Sequence, residues 1–225
     1  MESGLEERGK EEVILSSLAG LRGRIGILGG TFDPPHLAHV GLARAAAGNR
    51  QLDKVIFIPA ARNPLKREQP LASDEDRLHM LYLALRGEEN TFISPQELER
   101  GGPSYSCDTV RMIRKAAPGA GLFFIIGADC VPDLARWKDL AGLVSLVSLV
   151  VVSRQGVPQP DFDALRGAIP AGALAATKEN FVKDFSMPHV ASDLRDRIGR
   201  GQDVSEALHP EVYRYIREKG VYRNL

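Results

Sequence analysis

A short segment near the start of the chain combines glycines, prolines and histidines at a spacing that suits phosphate binding. Two glycines at residues 29–30 follow an apolar run, and glycine lets backbone N–H groups come close to a ligand. Two prolines at residues 34–35 fix a turn, so a helix is predicted to open near His36. His36 and His39 share one face of its first turn, where unpaired N–H groups and the helix dipole favour anions. This arrangement favours a phosphate whose charge grows in a transition state.

Two other interpretations of the histidines stay open. Asp33, His36 and His39 are residue types that bind metal ions, although the sequence shows no further ligand cluster and a metal site leaves the glycines unexplained. The second alternative to a phosphate site, weighed the same as the metal site, is a pair of histidines that caps the helix or lies in the core. The sequence contains neither GxxxxGK[ST] nor GxGxxG, which argues against a P-loop NTPase and a standard dinucleotide oxidoreductase.

The elements that must position these residues alternate between short apolar runs and longer amphipathic stretches. The runs are typical of strands buried on both faces, over residues 25–28, 55–58, 122–126 and 146–152. Helices are predicted over residues 76–85, with Ser73 as N-cap, 108–117 and 210–218. The alternation predicts an α/β fold with a doubly wound parallel sheet. Ligands of such sheets bind beyond the carboxyl ends of the strands, where the strand order reverses, so the loops there should hold the chemistry.

Charge and composition restrict the class of function. Lys+Arg and Asp+Glu number 29 each, so the zero net charge gives no support for nucleic acid as a partner. The longest stretch without a charged residue, 140–153, is shorter than the roughly 20 apolar residues of a membrane span. Cys107 and Cys130 are isolated, and the acidic N-terminus lacks signal-peptide features. These features predict a cytoplasmic protein without a membrane partner, a disulfide framework or a structural zinc site.

The chain is predicted to hold one domain behind an N-terminal extension. Residues 1–23 are rich in charge and then carry Ile14, Leu18 and Leu21 at helical spacing. This extension either docks as an amphipathic helix or precedes the true start of translation. With 44% hydrophobic residues, the chain can bury one core, which is assigned to residues 24–225.

The first segment resembles a known family signature. Residues 29–39, GGTFDPPHLAH, are similar to the GGTFDPxHxGH motif of the nucleotidylyltransferase superfamily, in the form of the bacterial nicotinate-nucleotide adenylyltransferases. Ala38 stands where the family usually has glycine, and its added methyl should be tolerated. Further matches follow in order: IPAARNPLK at 58–66, SYSCDT at 104–109, IGAD at 126–129, WK at 137–138 and VVSR at 151–154. The resemblance implies a Rossmann-like nucleotidylyltransferase fold.

The resemblance also implies a set of site residues. The catalytic group would be His36, His39, Lys66 and Arg195. The ATP-binding residues would be Gly29, Gly30, Thr31, Phe32, Asp33, Gly127, Asp129, Arg154 and Ser192, with Asp129 on the ribose. The mononucleotide would contact Asn63, Ser104, Tyr105, Thr109, Trp137 and Lys138, with its ring stacked on Trp137. Four of these residues keep a competing interpretation from the residues alone: a solvated lysine for Lys66, a helix cap for Asp129, a core residue for Trp137 and a surface arginine for Arg154.

The C-terminal signature departs from the family pattern. The family usually shows ISSTxIR, and residues 189–195 here read HVASDLR, which keeps only Ser192 and Arg195. Because Val190 and Ala191 carry no hydroxyl, some phosphate contacts are expected to be lost or supplied by backbone N–H groups, with help from His189. The departure bears on ATP affinity more than on the reaction class. Residues 204–216 then continue the family pattern as a closing helix.

Together these features predict an adenylyltransferase of NAD biosynthesis. ATP and nicotinate mononucleotide would give deamido-NAD and pyrophosphate by in-line attack on the α-phosphate, with Mg²⁺ carried mainly by the nucleotide. One alternative is another acceptor, such as nicotinamide mononucleotide. A second is a nucleotide-binding sensor without turnover, which the altered C-terminal signature would permit. The sequence leaves the oligomeric state open.

Overall fold

The computed structural model describes residues 18–66, 69–153, 158–183, 185 and 189–223, and these form a six-stranded parallel sheet with helices on both faces. The strands are β1 (Arg24–Gly30), β2 (Lys54–Pro59), β3 (Thr91–Ile93), β4 (Gly121–Gly127), β5 (Ser148–Val152) and β6 (Phe181–Val182). Their order is β3-β2-β1-β4-β5-β6, so the strand order reverses between β1 and β4. This confirms the predicted α/β doubly wound sheet and places the ligand crevice beyond Gly30 and Gly127.

The described chain contains eight α-helices, of which six lie between strands and two follow β6. They are α1 (Leu37–Arg50), α2 (Asp74–Ala84), α3 (Gln96–Arg100), α4 (Ser106–Ala116), α5 (Leu140–Leu146), α6 (Ala171–Glu179), α7 (Ala191–Gly199) and α8 (Pro210–Lys219). Three 3₁₀-helices cover Ala128–Arg136, Phe162–Leu165 and Ser205–Ala207. The Ser73 side chain caps α2 by accepting from the Asp76 backbone N–H, and Gly220 ends α8 with a φ of 71°. None of the described helices is long and apolar enough to cross a bilayer.

Side chains of the central strands alternate between two buried layers. In β1, Ile25 and Ile27 pack with α4, α5 and α6, whereas Leu28 packs with α1 on the opposite face. A third cluster, which includes Met80, Leu194 and Ile216, joins α2, α7 and α8. Burial on both faces explains why each of the central strands β1, β2, β4 and β5 reads as a continuous apolar run.

The structure confirms the predicted long elements and changes some bounds. The three predicted helices begin and end within two residues of the predicted positions. The strand predicted over 146–152 begins at Ser148, because Leu146 ends α5, a short helix that Asp139 caps by accepting from the Gly142 N–H. The edge strands β3 and β6 were not predicted, since three and two residues are too few to show a periodicity.

The N-terminal extension is described only from Leu18 onward. Ile14 and the rest of residues 1–17 lie outside the described residues, so the predicted amphipathic helix stays a prediction. Leu18 is buried in the core beside α4 and β4, and Leu21 packs against the same cluster. The domain boundary predicted at residue 23 stays a prediction, while the apolar residues just before it belong to the core.

Candidate active site

A cleft of about 850 Å³ opens beyond the carboxyl ends of β1, β2 and β4, within the range of small-molecule sites. Every predicted site residue that the structure describes lines it. These are Gly29, Gly30, Thr31, Phe32, Asp33, His36, His39, Asn63, Lys66, Ser104, Tyr105, Thr109, Gly127, Asp129, Trp137, Lys138, Ser192 and Arg195. Arg154 lies outside the described residues, and its role stays a prediction. The parallel sheet therefore gathers segments more than 160 residues apart, as Asp33 and Arg195 show.

The two histidines form a stacked pair at the start of α1. His36 is the N-cap, and the ring centroids of His36 and His39 lie 3.8 Å apart. The His36 backbone N–H donates to Nδ1 of His39 at 3.2 Å, so in the neutral imidazole Nε2 of His39 carries the proton. The Phe32 ring packs edge-on against His39 at a centroid distance of 4.9 Å. His39 is thus a fixed N–H donor in the cleft.

The loop after β1 folds tightly around Phe32. Phe32 is almost fully buried and has a φ of +49°. A Cβ at Gly30 would lie only 3.0 Å from two atoms of the Phe32 ring, so a larger residue there would displace the ring. Glycine at residue 30 allows this close approach of the Phe32 ring without displacing it.

Asp33 has a structural task that the sequence did not show. Its buried carboxylate accepts hydrogen bonds from the backbone N–H groups of Leu71 at 2.8 Å and Ala72 at 3.0 Å, and from the Tyr222 hydroxyl at 2.7 Å. Its backbone carbonyl accepts from Nη1 of Arg195 at 2.7 Å. These three donors occupy most of the acceptor sites of the carboxylate, and the predicted contact of Asp33 with ATP stays a prediction. The observed hydrogen bonds hold the loop after β1 against residues 71–72, α7 and the segment after α8.

Arg77 on α2 is a site-supporting residue that sequence reasoning missed. Its side chain is fully buried and donates to the carbonyls of Thr31 at 2.6 Å and Ala60 at 2.8 Å, and to Asp74 at 2.6 Å. The two carbonyls belong to the loops after β1 and β2, so one guanidinium holds both loops. The only signal in the sequence is a charge on the face of α2 that turns toward the core.

At the end of the cleft predicted to bind the mononucleotide, hydrogen bonds connect several side chains around Glu97, a second residue that the sequence analysis did not identify. Glu97 on α3 is buried at the cleft and accepts a hydrogen bond from the Thr109 hydroxyl. Burial raises the pKa of Glu97, and hydrogen bonds from Thr109 and Ser104 oppose that rise. The Ser104 hydroxyl oxygen also accepts from the Ala61 N–H at 3.0 Å. The Thr109 hydroxyl, predicted as a donor to ligand, thus donates within the protein.

Aromatic and cationic side chains also line this end of the cleft. Trp137 follows the 3₁₀-helix Ala128–Arg136, is half-buried and packs edge-on against Phe124 at 5.9 Å between ring centroids. Lys138 donates to Asp108 at 2.8 Å, and its Nζ lies 4.3 Å from the centroid of the Tyr105 ring. The hydrogen bond with Asp108 raises the pKa of Lys138, so this lysine stays charged at neutral pH.

The predicted phosphate end combines one loop with the N-terminus of α7. Lys66 is exposed and follows a turn in which Oδ1 of Asn63 accepts from the Leu65 N–H at 2.9 Å. Ser192 and Arg195 are three residues apart on α7 and both line the cleft. Val190 lies at the N-cap position of α7 and is 47% exposed at the same edge, where the missing hydroxyls would stand. Among the described residues, no group of three or more His, Cys, Asp or Glu side chains could hold a metal ion.

Comparison with known proteins points to one family. A model of the cytidylyltransferase-like family matches residues 27–195. A probable nicotinate-nucleotide adenylyltransferase from Bordetella petrii is 42% identical over 202 residues, 89% of this chain and 99% of that protein. One from Halalkalibacterium halodurans is 39% identical over 203 residues, covering 89% and 91%. The Plasmodium falciparum nicotinic acid mononucleotide adenylyltransferase complexed with NaAD has a TM-score of 0.68 over 90% of this chain and 98% of its own, and its 18% identity supports the fold alone.

Proposed function

The chain belongs to the nicotinate-nucleotide adenylyltransferases of the cytidylyltransferase-like family, and we infer from this that it transfers the adenylyl group of ATP to nicotinate mononucleotide. The products are deamido-NAD and pyrophosphate. One observation of the site itself supports a transfer between two phosphate-bearing substrates. The stacked pair of His36 and His39 at the N-terminus of α1 shares a cleft with the loop that precedes α4, so a phosphate-binding end and a second polar end face one space.

The reaction joins two phosphates without a protein nucleophile. An oxygen of the mononucleotide phosphate attacks the α-phosphorus of ATP. The bond between that phosphorus and the oxygen that bridges it to the β-phosphate breaks, and pyrophosphate leaves. We propose that Nε2–H of His39 donates to the phosphate oxygens as their charge rearranges in the transition state. Lys66 would neutralise charge on the reacting phosphates, and Arg195 would neutralise charge on the triphosphate. The protein then contributes alignment and charge, which suffice for a reaction between two bound substrates.

We propose that the mononucleotide occupies the end near α4. The Trp137 and Tyr105 side chains line this end, and an aromatic face can stack on a pyridine ring. Tyr105 is also the N-cap residue of α4, where the first-turn N–H groups and the helix dipole favour a carboxylate over a neutral amide. Asn63 and Lys66, on the loop after β2, would meet the phosphate of the same ligand.

Mg²⁺ fits this cleft as a companion of the nucleotide phosphates. Asp33, the buried carboxylate beside the histidines, already accepts three hydrogen bonds, and the described residues hold no cluster of metal-binding side chains. A divalent cation bound to the triphosphate would neutralise charge there, as expected for an ion that keeps phosphate and water ligands. The cytoplasmic location and the lack of a nucleic-acid partner stay predictions from composition.

A direct assay tests the proposed function and its acceptor. With ATP and Mg²⁺, we expect pyrophosphate release to favour nicotinate over nicotinamide mononucleotide by at least about tenfold in kcat/KM, because mismatching an amide with donors costs about 1–3 kcal/mol. Release of pyrophosphate is followed with each mononucleotide in turn. Equal efficiency would contradict the preference, and ATP binding without release with either acceptor would favour the sensor instead.

Arg195 gives a second test, on the ATP side. Its guanidinium can bind phosphate oxygens in a bidentate fork that lysine cannot reproduce. We therefore expect Arg195→Lys to raise the KM for ATP by about tenfold or more, with a much smaller change in the KM for the mononucleotide. Steady-state kinetics with each substrate varied separately would measure this. Unchanged KM values for both substrates would show that Arg195 does not bind the triphosphate.

A further inference from the structure

The C-terminal turn of the chain reaches the phosphate end of the cleft through one side chain. Tyr222 follows α8, is buried, and donates its hydroxyl to Oδ1 of Asp33 at 2.7 Å, across 189 residues of sequence. Burial and the Asp33 carboxylate both raise the pKa of Tyr222, so its hydroxyl keeps its proton at neutral pH. The last described part of the chain thus contacts the loop that precedes the histidine pair.

The hydroxyl of Tyr222 completes the hydrogen bonding of a carboxylate that lies beside Arg195. Oδ1 of Asp33 accepts from Ala72 N–H and Tyr222, and Oδ2 accepts from Leu71 N–H. Nη1 of Arg195 donates instead to the Asp33 backbone carbonyl at 2.7 Å and stays 3.7 Å from Oδ2. A carboxylate and an arginine this close would ordinarily form a short bidentate pair. Three donors from elsewhere in the chain occupy most of the roughly four lone-pair sites that the carboxylate offers.

We propose that Tyr222 is a positioning residue for ATP, because it occupies the Asp33 carboxylate and thereby leaves the Arg195 guanidinium directed at the nucleotide. This rests on the proposed function, since it takes Arg195 as a triphosphate ligand. Without the hydroxyl, the Asp33 carboxylate keeps only two backbone N–H donors, one on each oxygen, and its less compensated negative charge draws the Arg195 guanidinium, which lies 3.7 Å from Oδ2, into an ion pair. The orientation of Arg195 matters more for ATP binding in this chain because Val190 and Ala191 supply no hydroxyls to the same phosphates.

A matched pair of tyrosine substitutions tests the proposal. Tyr215 on α8 donates its hydroxyl to Asp76 at 2.7 Å and also ties the C-terminal region to α2, but it does not line the cleft. We expect Tyr222→Phe to weaken binding of a non-hydrolysable ATP analogue by roughly three- to tenfold, the value of one hydrogen bond. The KM for ATP should rise equally, while the KM for the mononucleotide stays unchanged and kcat changes less than KM. Tyr215→Phe should leave ATP binding unchanged, although thermal unfolding should show a comparable loss of stability in both variants.

A double variant isolates the coupling through Arg195. In the Arg195→Lys background, Tyr222→Phe should have little further effect on ATP binding, because the side chain that it positions is gone. Unchanged ATP affinity in Tyr222→Phe, equal weakening by both tyrosine substitutions, or a full additional effect in the double variant would each overturn the proposal. Binding of the ATP analogue is measured by calorimetric titration, which does not depend on turnover. A parent protein that binds the analogue but forms no deamido-NAD would therefore refute the proposed function separately.

Discussion

His39→Ala is expected to lower kcat by about two to three orders of magnitude, the typical loss for one transition-state hydrogen-bond donor. The orientation of the ring is the reason. Because Nδ1 of His39 accepts from the His36 N–H, the proton lies on Nε2, and the stacking on His36 and the edge contact with Phe32 hold that donor in place. The KM values should change much less than kcat, since the donor acts mainly on charge that develops during the reaction. Rapid-quench or steady-state measurement of pyrophosphate release would give both parameters.

Two further variants test whether the loss of kcat is specific to the N–H donor of His39. His79→Ala removes an exposed histidine of α2 that packs against Tyr215 and does not line the cleft, so kcat should stay at the parent value. His39→Gln retains an N–H donor on a flexible side chain and should recover part of the loss. A kcat of His39→Ala within a few fold of the parent would exclude the proposed role. Stoichiometric zinc in the purified protein, with activity lost on its removal, would support the metal interpretation of the two histidines instead.

The sequence was sufficient to predict the parts of the site that consist of continuous segments. Two patterns in the sequence are local: Gly29 and Gly30 follow an apolar run, and two histidines three residues apart follow two prolines. Both lie between the carboxyl end of β1 and the first turn of α1. A parallel sheet brings the loops at its carboxyl edge together, and the lining residues of the other loops, which local patterns alone did not single out, were predicted from the resemblance to the family motifs. The long strands and helices could be predicted because their periodicity spans enough residues to be recognised.

The contacts that hold those loops could not be predicted in this way. Arg77 reaches Thr31 across 46 residues, and Tyr222 reaches Asp33 across 189, so neither partner stands near the other in the sequence. A charge on an amphipathic helix usually lies in solvent, and a tyrosine near the end of a chain carries no motif. Glu97 differs in kind, since its contact with Thr109 spans only 12 residues but depends on how α3 packs beside α4. The sequence predicts which residues line the cleft better than which residues hold them there.

Arg77→Met is expected to give the largest loss of stability among single substitutions near the cleft. The guanidinium is fully buried, and its removal leaves the carbonyls of Thr31 and Ala60 without their donor. Each buried acceptor left unsatisfied costs about 1–3 kcal/mol, so the loss of two should lower the free energy of unfolding by about 2–6 kcal/mol. Urea unfolding would measure this. Arg86→Met is the control, because Arg86 is exposed and pairs with Glu211 at the surface, so its loss should change stability little.

Arg77→Lys separates the stability of the fold from the alignment of the site. A lysine keeps the positive charge and can donate to one of the two carbonyls, but it cannot reach Thr31, Ala60 and Asp74 together as the planar fork does. Part of the lost stability should return, while kcat should stay at least about tenfold below the parent value, because a small displacement of the loop after β1 moves the reacting phosphates out of line. Recovery of both stability and kcat in Arg77→Lys would show that the charge alone matters. A kcat at the parent value in a folded Arg77→Met protein would show that the two loops keep their alignment without it.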